Sequence, residues 1–286
     1  MLVPNPEAPV LQGLWEAVQA GQREVLVSPY LPASYAFLTH VLLCTPFLAL
    51  DALGSVCQRV RSWRVSAGSG PPPSLRRWGE CFLRVLSRYL SSVLPATALL
   101  HALCGPVVLP LLAPSCWDLC VEVFACLLVF DTLFFICHVA MHWVPWLYRR
   151  IHRHHHRHHL PFALAAQDSS SLELLSLLLL ALSSSWLVGC HPLSEAVFHL
   201  LNSWLAVEDH CGYDLPWALH HLLPCLGGAP CHQAHHALHN VNYAPLLHPL
   251  GPPLRDILCT RASNQNHMCF EMRSPSLIIY SFKLCN

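Results

Sequence analysis

Three groups of histidines have spacings that suit the binding of metal ions. The segments IHRHHHRHH, at 151–159, and CHQAHH, at 231–236, both contain the pattern H-x-x-H-H. An H-x-x-x-H pair precedes them near the end of an apolar stretch. Residues three or four apart share one face of an α-helix, so each group can present its imidazoles to one side. The eight histidines of this pattern are His138, His142, His152, His155, His156, His232, His235 and His236.

Imidazole is a good ligand for iron, zinc, copper and nickel. Eight imidazoles are too many for one ion and suit two ions, provided that three helices meet at the site. A histidine-rich tract can also arise without a function, and His154, His158 and His159 offer further registers within the first tract. The second copy of H-x-x-H-H, about 80 residues away, favours a metal cluster over a tract of biased composition.

Several other kinds of metal or redox site are excluded because their motifs are absent. The chain has no E-x-x-H pair, which carboxylate-bridged di-iron bundles use, and no H-E-x-x-H, which zinc proteases use. It has no C-x-x-C-H for haem attachment and no G-x-G-x-x-G turn for a dinucleotide. A redox reaction at the histidines would therefore take its electrons from a partner.

The composition predicts that a lipid bilayer surrounds much of the chain. Hydrophobic residues make up 54% of the 286 residues and charged residues only 11%, and the mean hydropathy is +0.42. A membrane-spanning helix needs about 20 mostly apolar residues. The segments 31–57, 89–113 and 117–143 meet this requirement. The segment 172–207 exceeds one crossing and contains the turn GCHPLSE, so it is predicted to form a helical hairpin.

The arginines predict which way these spans face. Five arginines lie in the loop 58–80 and four more in 149–157, whereas the short loop APSCWD after the second span has no positive residue. Because positively charged loops remain in the cytosol, both basic segments are expected there, together with all the histidine groups. The formal net charge is zero, so no overall field favours nucleic acid. We therefore predict an all-α, polytopic membrane helical bundle with a histidine-rich di-metal site at its cytosolic face.

The chain resembles the fatty acid hydroxylase/sterol desaturase superfamily between about residues 120 and 245. The resemblance is carried by the three histidine groups in order, by DTLFFICHVAMHWVPWLYRRIHRHHH and PFALAAQ, and by WLAVEDHCGYDLPW and NYAP. It implies an endoplasmic-reticulum enzyme that holds two non-haem irons and hydroxylates a sterol side chain. Oxygen and two electrons would be consumed, the electrons coming from a donor of the cytochrome b5/reductase type.

The resemblance also extends the set of expected site residues. His210, in VEDHCGY, lies where the superfamily has a further histidine, and it is expected to be a ninth metal ligand. His220 is a weaker candidate, because its neighbour His221 offers the same chemistry. Asp131, Glu208 and Asp209 are the nearby carboxylates expected to support the ligands, although capping or interface roles fit them equally.

Four segments are expected along the chain. A non-cytosolic N-terminal segment, 1–30, precedes membrane spans with a basic cytosolic loop, 31–115. A catalytic domain of the fatty acid hydroxylase type follows at 116–250. The tail, 251–286, diverges from the superfamily.

Other functions are compatible with the same residues. In one alternative the enzyme keeps its irons but acts on another sterol or on a fatty acyl lipid. In another, the chain is a catalytically inactive member that binds a sterol or a partner. A metal-handling membrane protein, with 151–159 as its histidine-rich loop, is the alternative from a different class. That alternative leaves the second H-x-x-H-H unexplained.

Overall fold

The regular structure of the described chain is entirely helical. The computed structural model describes residues 10–66, 71–105, 107–223, 226–239 and 242–244. Within these ranges the only named extended pairing is an isolated antiparallel bridge between Arg64 and Tyr213. The predicted all-α class is therefore confirmed. The divergent tail at 251–286 lies outside the described residues, as does 1–9 of the expected N-terminal segment.

Eleven α-helices, one π-helical turn and two short 3₁₀ helices follow one another in the described ranges. The α-helices are α1 (Gln12–Leu26), α2 (Leu31–Val56), α3 (Gln58–Arg61), α4 (Leu75–Arg88), α5 (Leu94–Cys104), α6 (Cys116–Trp143), α7 (Pro145–Arg150), α8 (Ser171–Val188), α9 (Pro192–His210), α10 (Leu219–Leu222) and α11 (Gly228–Leu238). The π-helical turn is Tyr89–Val93, and the 3₁₀ helices are His152–Arg157 and Ala163–Gln167.

Three helices of the described ranges are long and apolar enough to cross a membrane. They are α2, α6 and α8, with 26, 28 and 18 residues. Much of their apolar surface is exposed, including Leu42 on α2 and Phe124 on α6. The helix α8 ends at Gly189, whose φ of +68° suits the left-handed conformation, and α9 begins at Pro192. These features make the chain a multi-pass membrane protein, and they place two helices in the segment 172–207.

The predicted span over 89–113 differs from the helix that forms. The helical run begins earlier, at Leu75, and passes through the π-helical turn into α5, which ends at Cys104. Pro95 lacks an N–H for the preceding turn, which accounts for the wider π turn before it. Gly105, with φ of +84°, ends the helix. Residues 107–115 contain no helix. The apolar stretch 105–113 is therefore not part of a continuous span.

Side-chain contacts show which of the loops between helices lie together at each end of the bundle. At one end, the Trp15 indole of α1 donates to the carbonyl oxygen of Pro110 at 2.9 Å, and His191 Nε2 lies 3.1 Å from the carbonyl oxygen of Leu112. At the other end, Arg77 Nη2 lies 3.2 Å from His158 Nδ1. The two basic segments thus lie at the same end as the histidine tract, which agrees with the orientation that the arginines predict.

The main core joins the membrane helices to the histidine-bearing end. Buried apolar side chains from α2, α4, α9 and the Ala163–Gln167 helix form it. A carboxylate lies within this apolar surrounding: Asp51 of α2 is 3% exposed and accepts hydrogen bonds from Trp78 Nε1, at 2.9 Å, and from the Tyr213 hydroxyl group, at 2.8 Å. Asp51 therefore ties α4 and the loop that follows α9 to a membrane helix.

Removing one of these hydrogen bonds should destabilise the protein measurably. Tyr213→Phe leaves one oxygen of a buried carboxylate without its donor, and we expect the free energy of unfolding to fall by about 1.5–3 kcal/mol. Tyr30→Phe, at an exposed tyrosine, is the matched control. Unfolding of the detergent-solubilised protein measures both. Equal stability of the two variants would contradict a structural role for the Asp51 contacts.

Candidate metal centre

The structure brings all nine expected metal ligands together in two buried clusters at one end of the bundle. In each cluster one nitrogen from every histidine lies within 4.8 Å of one from every other member. The first cluster consists of His138, His142, His152, His156 and His235. The second cluster consists of His155, His210, His232 and His236.

The two H-x-x-H-H segments each contribute to both clusters. From the first segment, His152 and His156 enter the first cluster, whereas His155 enters the second. The second segment, on α11, divides in the opposite way. His232 and His236 belong to the second cluster, and only His235 belongs to the first. The groups of the sequence therefore do not correspond to separate sites, and neither cluster exists without both segments.

The first H-x-x-H-H segment is not an α-helix. Residues His152–Arg157 form a 3₁₀ helix, in which side chains three apart are eclipsed. The rings of His152 and His155 accordingly stack, with centroids 5.5 Å apart and planes at 24°. His156, at position i+4, returns to His152: their ring centroids are 4.6 Å apart and their Nε2 atoms 2.9 Å apart, whereas His155 belongs to the other cluster. The expectation of one α-helical face is wrong here, although the ligand spacing still works.

Hydrogen bonds assign the protons of two imidazoles in the first cluster. His138 Nδ1 lies 2.7 Å from the carbonyl oxygen of Tyr243, which only accepts, so this nitrogen carries the proton. His152 Nδ1 lies 2.8 Å from Glu173 Oε1 and donates to that carboxylate. The lone pairs of His138 Nε2 and His152 Nε2 then face each other at 3.0 Å. Such lone pairs repel unless a cation lies between them, so this arrangement fits a metal ion.

The second cluster has the same character. His210 Nδ1 donates to the carbonyl oxygen of Ala206 at 2.7 Å, which leaves the lone pair of its Nε2 directed into the cluster. That Nε2 lies 3.1 Å from His155 Nε2 and 2.9 Å from His232 Nε2. His236 Nε2 lies 3.0 Å from His232 Nε2. His210 thus completes the second cluster, where the superfamily resemblance expects a ligand.

The distances between these nitrogens suit joint binding of an ion. Two imidazole nitrogens that each lie about 2.1 Å from one ion are separated by about 3.0–3.4 Å. The Nε2 atoms described above are separated by 2.9–3.1 Å. His142 Nε2 is buried in the first cluster and has no hydrogen-bond partner among the described residues. The donor sets therefore fit two metal ions, one in each cluster.

Glu173 is a carboxylate that contacts a cluster histidine, and the sequence analysis missed it. Glu173 is 4% exposed at the start of α8, 21 residues beyond His152, and no motif marks it. Glu208 and His220, two of the expected supporting residues, contact groups outside the clusters. Glu208 Oε1 accepts from the backbone N–H of Leu219, and His220 Nε2 lies 3.0 Å from Asp214 Oδ1.

Asp131 and Asp209 are both buried beside this region, at 0% and 5% exposure. Their expected support of the ligand histidines stays a prediction.

A buried carboxylate outside the clusters holds the first H-x-x-H-H segment in place. Asp168 accepts from Arg84 Nη2, at 2.8 Å, from Arg157, and from His158 Nε2, at 2.9 Å, while His154 Nε2 lies 3.6 Å from its other oxygen. Burial alone would raise the pKa of Asp168, but hydrogen bonds from His154, His158 and Arg84 and the charge of Arg157 hold that pKa well below its usual value. Two histidines that are surplus as ligands therefore anchor the ligand-bearing turn to α4.

Comparisons with known proteins agree with this fold and site. The fatty acid hydroxylase family model matches residues 123–251. The chain is 37% identical over 262 residues to cholesterol 25-hydroxylase of Rattus norvegicus, covering 91% of this chain and 86% of that protein. It is 39% identical over 237 residues to cholesterol 25-hydroxylase of Homo sapiens, covering 82% and 86%. It is 32% identical over 224 residues to methylsterol monooxygenase erg25A of Aspergillus fumigatus, covering 73% and 71%. No solved structure matches the chain.

The fold and the site together define a polytopic helical membrane protein with a histidine-lined candidate metal centre. With the sequence relationships, this class becomes specific: the chain belongs to the fatty acid hydroxylase family, and within it to the sterol hydroxylase/desaturase group that includes the cholesterol 25-hydroxylases. The resemblance inferred from the histidine motifs is thereby confirmed.

The clustered imidazoles are built to remain neutral. Burial, and then the charge of neighbouring histidines, lowers the pKa of His155, His232 and His236 well below the usual value of about 6.5. The unfolded chain therefore binds protons near pH 6.5 that the folded chain excludes. Since stability rises with pH wherever the unfolded state binds more protons, acid should destabilise the metal-free fold.

We expect the melting temperature of chelator-treated protein to fall by roughly 5 °C or more between pH 7.5 and pH 5.5. Differential scanning fluorimetry in detergent measures this change. His221→Ala removes an imidazole that lies outside the clusters and should melt with the same pH dependence as the parent. A melting temperature that is constant over this pH range would contradict the burial of neutral imidazoles.

Proposed function

We propose that this protein is a membrane non-haem di-iron monooxygenase that hydroxylates a sterol side chain, in a reaction of the cholesterol to 25-hydroxycholesterol type. The single observation that carries the proposal is the pair of clusters, with five and four imidazoles, at one end of a helical membrane bundle. The relatives indicate the substrate class, because the alignments to cholesterol 25-hydroxylases cover most of this chain.

The nine cluster histidines would hold the two irons, which when bound supply the reduction of dioxygen to an oxidant able to attack an unactivated C–H bond. The imidazoles contribute neutral lone pairs whose direction is set by hydrogen bonds to their outer nitrogens. The carbonyl oxygens of Tyr243 and Ala206 fix His138 and His210 in this way. Because all the members of the second cluster are buried, bulk water is kept from that site.

The surroundings of the first cluster suit an apolar substrate. His138 lies on α6 one turn beyond Phe134, and the two ring centroids are 5.0 Å apart. Phe134 packs in turn against a buried apolar cluster that includes Phe130 and Phe198 and joins α6, α8 and α9. An uncharged sterol that enters sideways from the bilayer would meet apolar side chains until it reached the imidazoles of the first cluster. Shape, rather than charge, would then select it.

The electrons would come from a partner on the arginine-rich side of the protein. Arg149, Arg150 and Arg153 are exposed and follow α6 directly. They would attract an acidic surface, such as that of a cytochrome b5/reductase-type donor, to the end that holds the clusters. The proposed location is the endoplasmic-reticulum membrane, with this end in the cytosol and dioxygen as co-substrate.

A hydroxylase or desaturase of another sterol or of a fatty acyl lipid is the nearest alternative. The similarity to a methylsterol monooxygenase favours a different sterol over an acyl chain within that alternative. A catalytically inactive member would keep the fold, and a metal-handling membrane protein would keep the metal without a lipid product.

One experiment separates these functions. The protein is purified in detergent, its bound metals are quantified, and it is supplied with oxygen, an electron donor and either cholesterol, a methylsterol or an acyl lipid. Two irons per chain and a side-chain-hydroxylated sterol are the expected result. Product from the acyl lipid alone, zinc without product, or folded protein without metal would each contradict the proposal.

His235→Ala should abolish turnover while membrane insertion is retained. This imidazole belongs to the first cluster and lies 4.6–4.8 Å, between ring centroids, from those of His138, His142 and His156. We expect turnover to fall by at least about 100-fold, since even loss of an outer partner of a ligand costs 10–100-fold. His221→Ala is the control, because it removes a histidine outside both clusters. Retained turnover in His235→Ala would refute its assignment as a ligand.

A further inference from the structure

We propose that Ser169 and Glu173 are positioning residues, each of which orients one imidazole of a different cluster, so that the two metal sites depend on different side chains. This inference rests on the proposed di-metal function. Ser169 lies between the Ala163–Gln167 helix and α8, Glu173 lies in the first turn of α8, and the two are only 1% and 4% exposed. Neither is a metal ligand in the two clusters.

The contacts divide between the clusters. Ser169 Oγ lies 3.1 Å from His155 Nδ1, and His155 belongs to the second cluster. Glu173 Oε1 lies 2.8 Å from His152 Nδ1, and His152 belongs to the first cluster. In each case the contact is made to the ring nitrogen that faces away from the cluster. Such a partner keeps the proton on Nδ1 and the lone pair of Nε2 directed towards the metal.

The backbone beneath the two side chains is held by other contacts. The carbonyl oxygen of Ser169 accepts from Arg88, and Ser170 caps α8 by accepting from the backbone N–H of Glu173 at 3.2 Å. Removal of the Ser169 hydroxyl group or the Glu173 carboxylate therefore changes the imidazole partner without releasing the segment.

The imidazoles of His152 and His155 are neighbours that belong to different clusters. His152 and His155 stack in one 3₁₀ helix, yet they serve different clusters. Their outer partners are separate residues: Ser169 contacts His155 and Glu173 contacts His152. Ser169 and Glu173 are only four residues apart and both are buried, so each substitution is expected to weaken one site more than the other rather than one site alone.

The test compares iron occupancy of each cluster in matched variants of the full-length protein. Ser169→Ala and Glu173→Leu remove the partner, whereas Ser169→Thr and Glu173→Gln keep a hydroxyl or carbonyl oxygen that can accept from Nδ1. Ser176→Ala, which removes a hydroxyl group bonded only to its own helix, is the control. Purified proteins are titrated with ferrous iron, bound iron is counted per chain, and brief exposure to hydrogen peroxide marks the histidines beside bound iron for peptide mass spectrometry.

We expect Ser169→Ala to weaken iron binding about 10–100-fold at the second cluster. Oxidation should then decline at His232 and His236 and persist at His138 and His142. Glu173→Leu should give the reverse pattern. Both conservative variants and the Ser176→Ala control should bind two irons as the parent does.

Three results would overturn the inference: equal loss from both clusters in each variant, full occupancy in both truncated variants, or the same loss in the conservative as in the truncated variants. If Glu173→Leu does not fold, the comparison of Ser169→Ala with Ser169→Thr still decides the outcome. Failure of the proposed function is recognised separately, as a parent protein that binds two irons and divides them as described but forms no sterol product.

Discussion

The burial of nine imidazoles in mutual contact is the constraint on which the rest of the structure depends. An imidazole within a low-dielectric surrounding must remain neutral, and its two nitrogens then differ: one donates and the other presents a lone pair. Packing the lone pairs of several rings within 3 Å is unfavourable unless positive charge lies among them. Acceptors on the outside of the rings therefore help to hold them, and for His138, His210, His152 and His155 the partners are two backbone carbonyl oxygens, a carboxylate and a hydroxyl group.

Buried carboxylates serve this centre from two further places in the fold. Asp168 gathers guanidinium and imidazole groups and fixes the short 3₁₀ helix that bears three ligands. Asp51 lies deeper, on a membrane helix, and anchors the loop that follows His210 through the Tyr213 hydroxyl group. Buried charges are stable only where several donors reach them, so these two residues mark the points at which the histidine-bearing end is fastened to α4 and to the membrane helix α2.

The ligands could be predicted from the sequence because their spacing is a local property of helices, and the ninth, His210, came from the superfamily resemblance. The partition between clusters could not be predicted, since it depends on how the Nε2 atoms of two distant segments approach each other. Glu173 was missed for the same reason: its partner is 21 residues away and no motif joins them. The sequence indicates Glu208 as a supporting group because it lies beside His210, and His220 as a weaker candidate; in the structure Glu208 accepts from the backbone of Leu219, and His220 contacts Asp214. The apolar stretch after Cys104 reads as a span by hydropathy, yet the backbone at Gly105 ends the helix first.

The exchange of ligands between the two H-x-x-H-H segments has a consequence for how the protein is made. The first cluster needs His235 and the second needs both His155 and His232, so neither can be assembled until a ribosome has synthesised nearly the whole described chain. The long apolar helices α2, α6 and α8 precede α11 and will already have entered the bilayer. Any metal bound by these clusters would therefore be acquired after insertion, and a chain truncated before α11 would reach the membrane without forming either cluster.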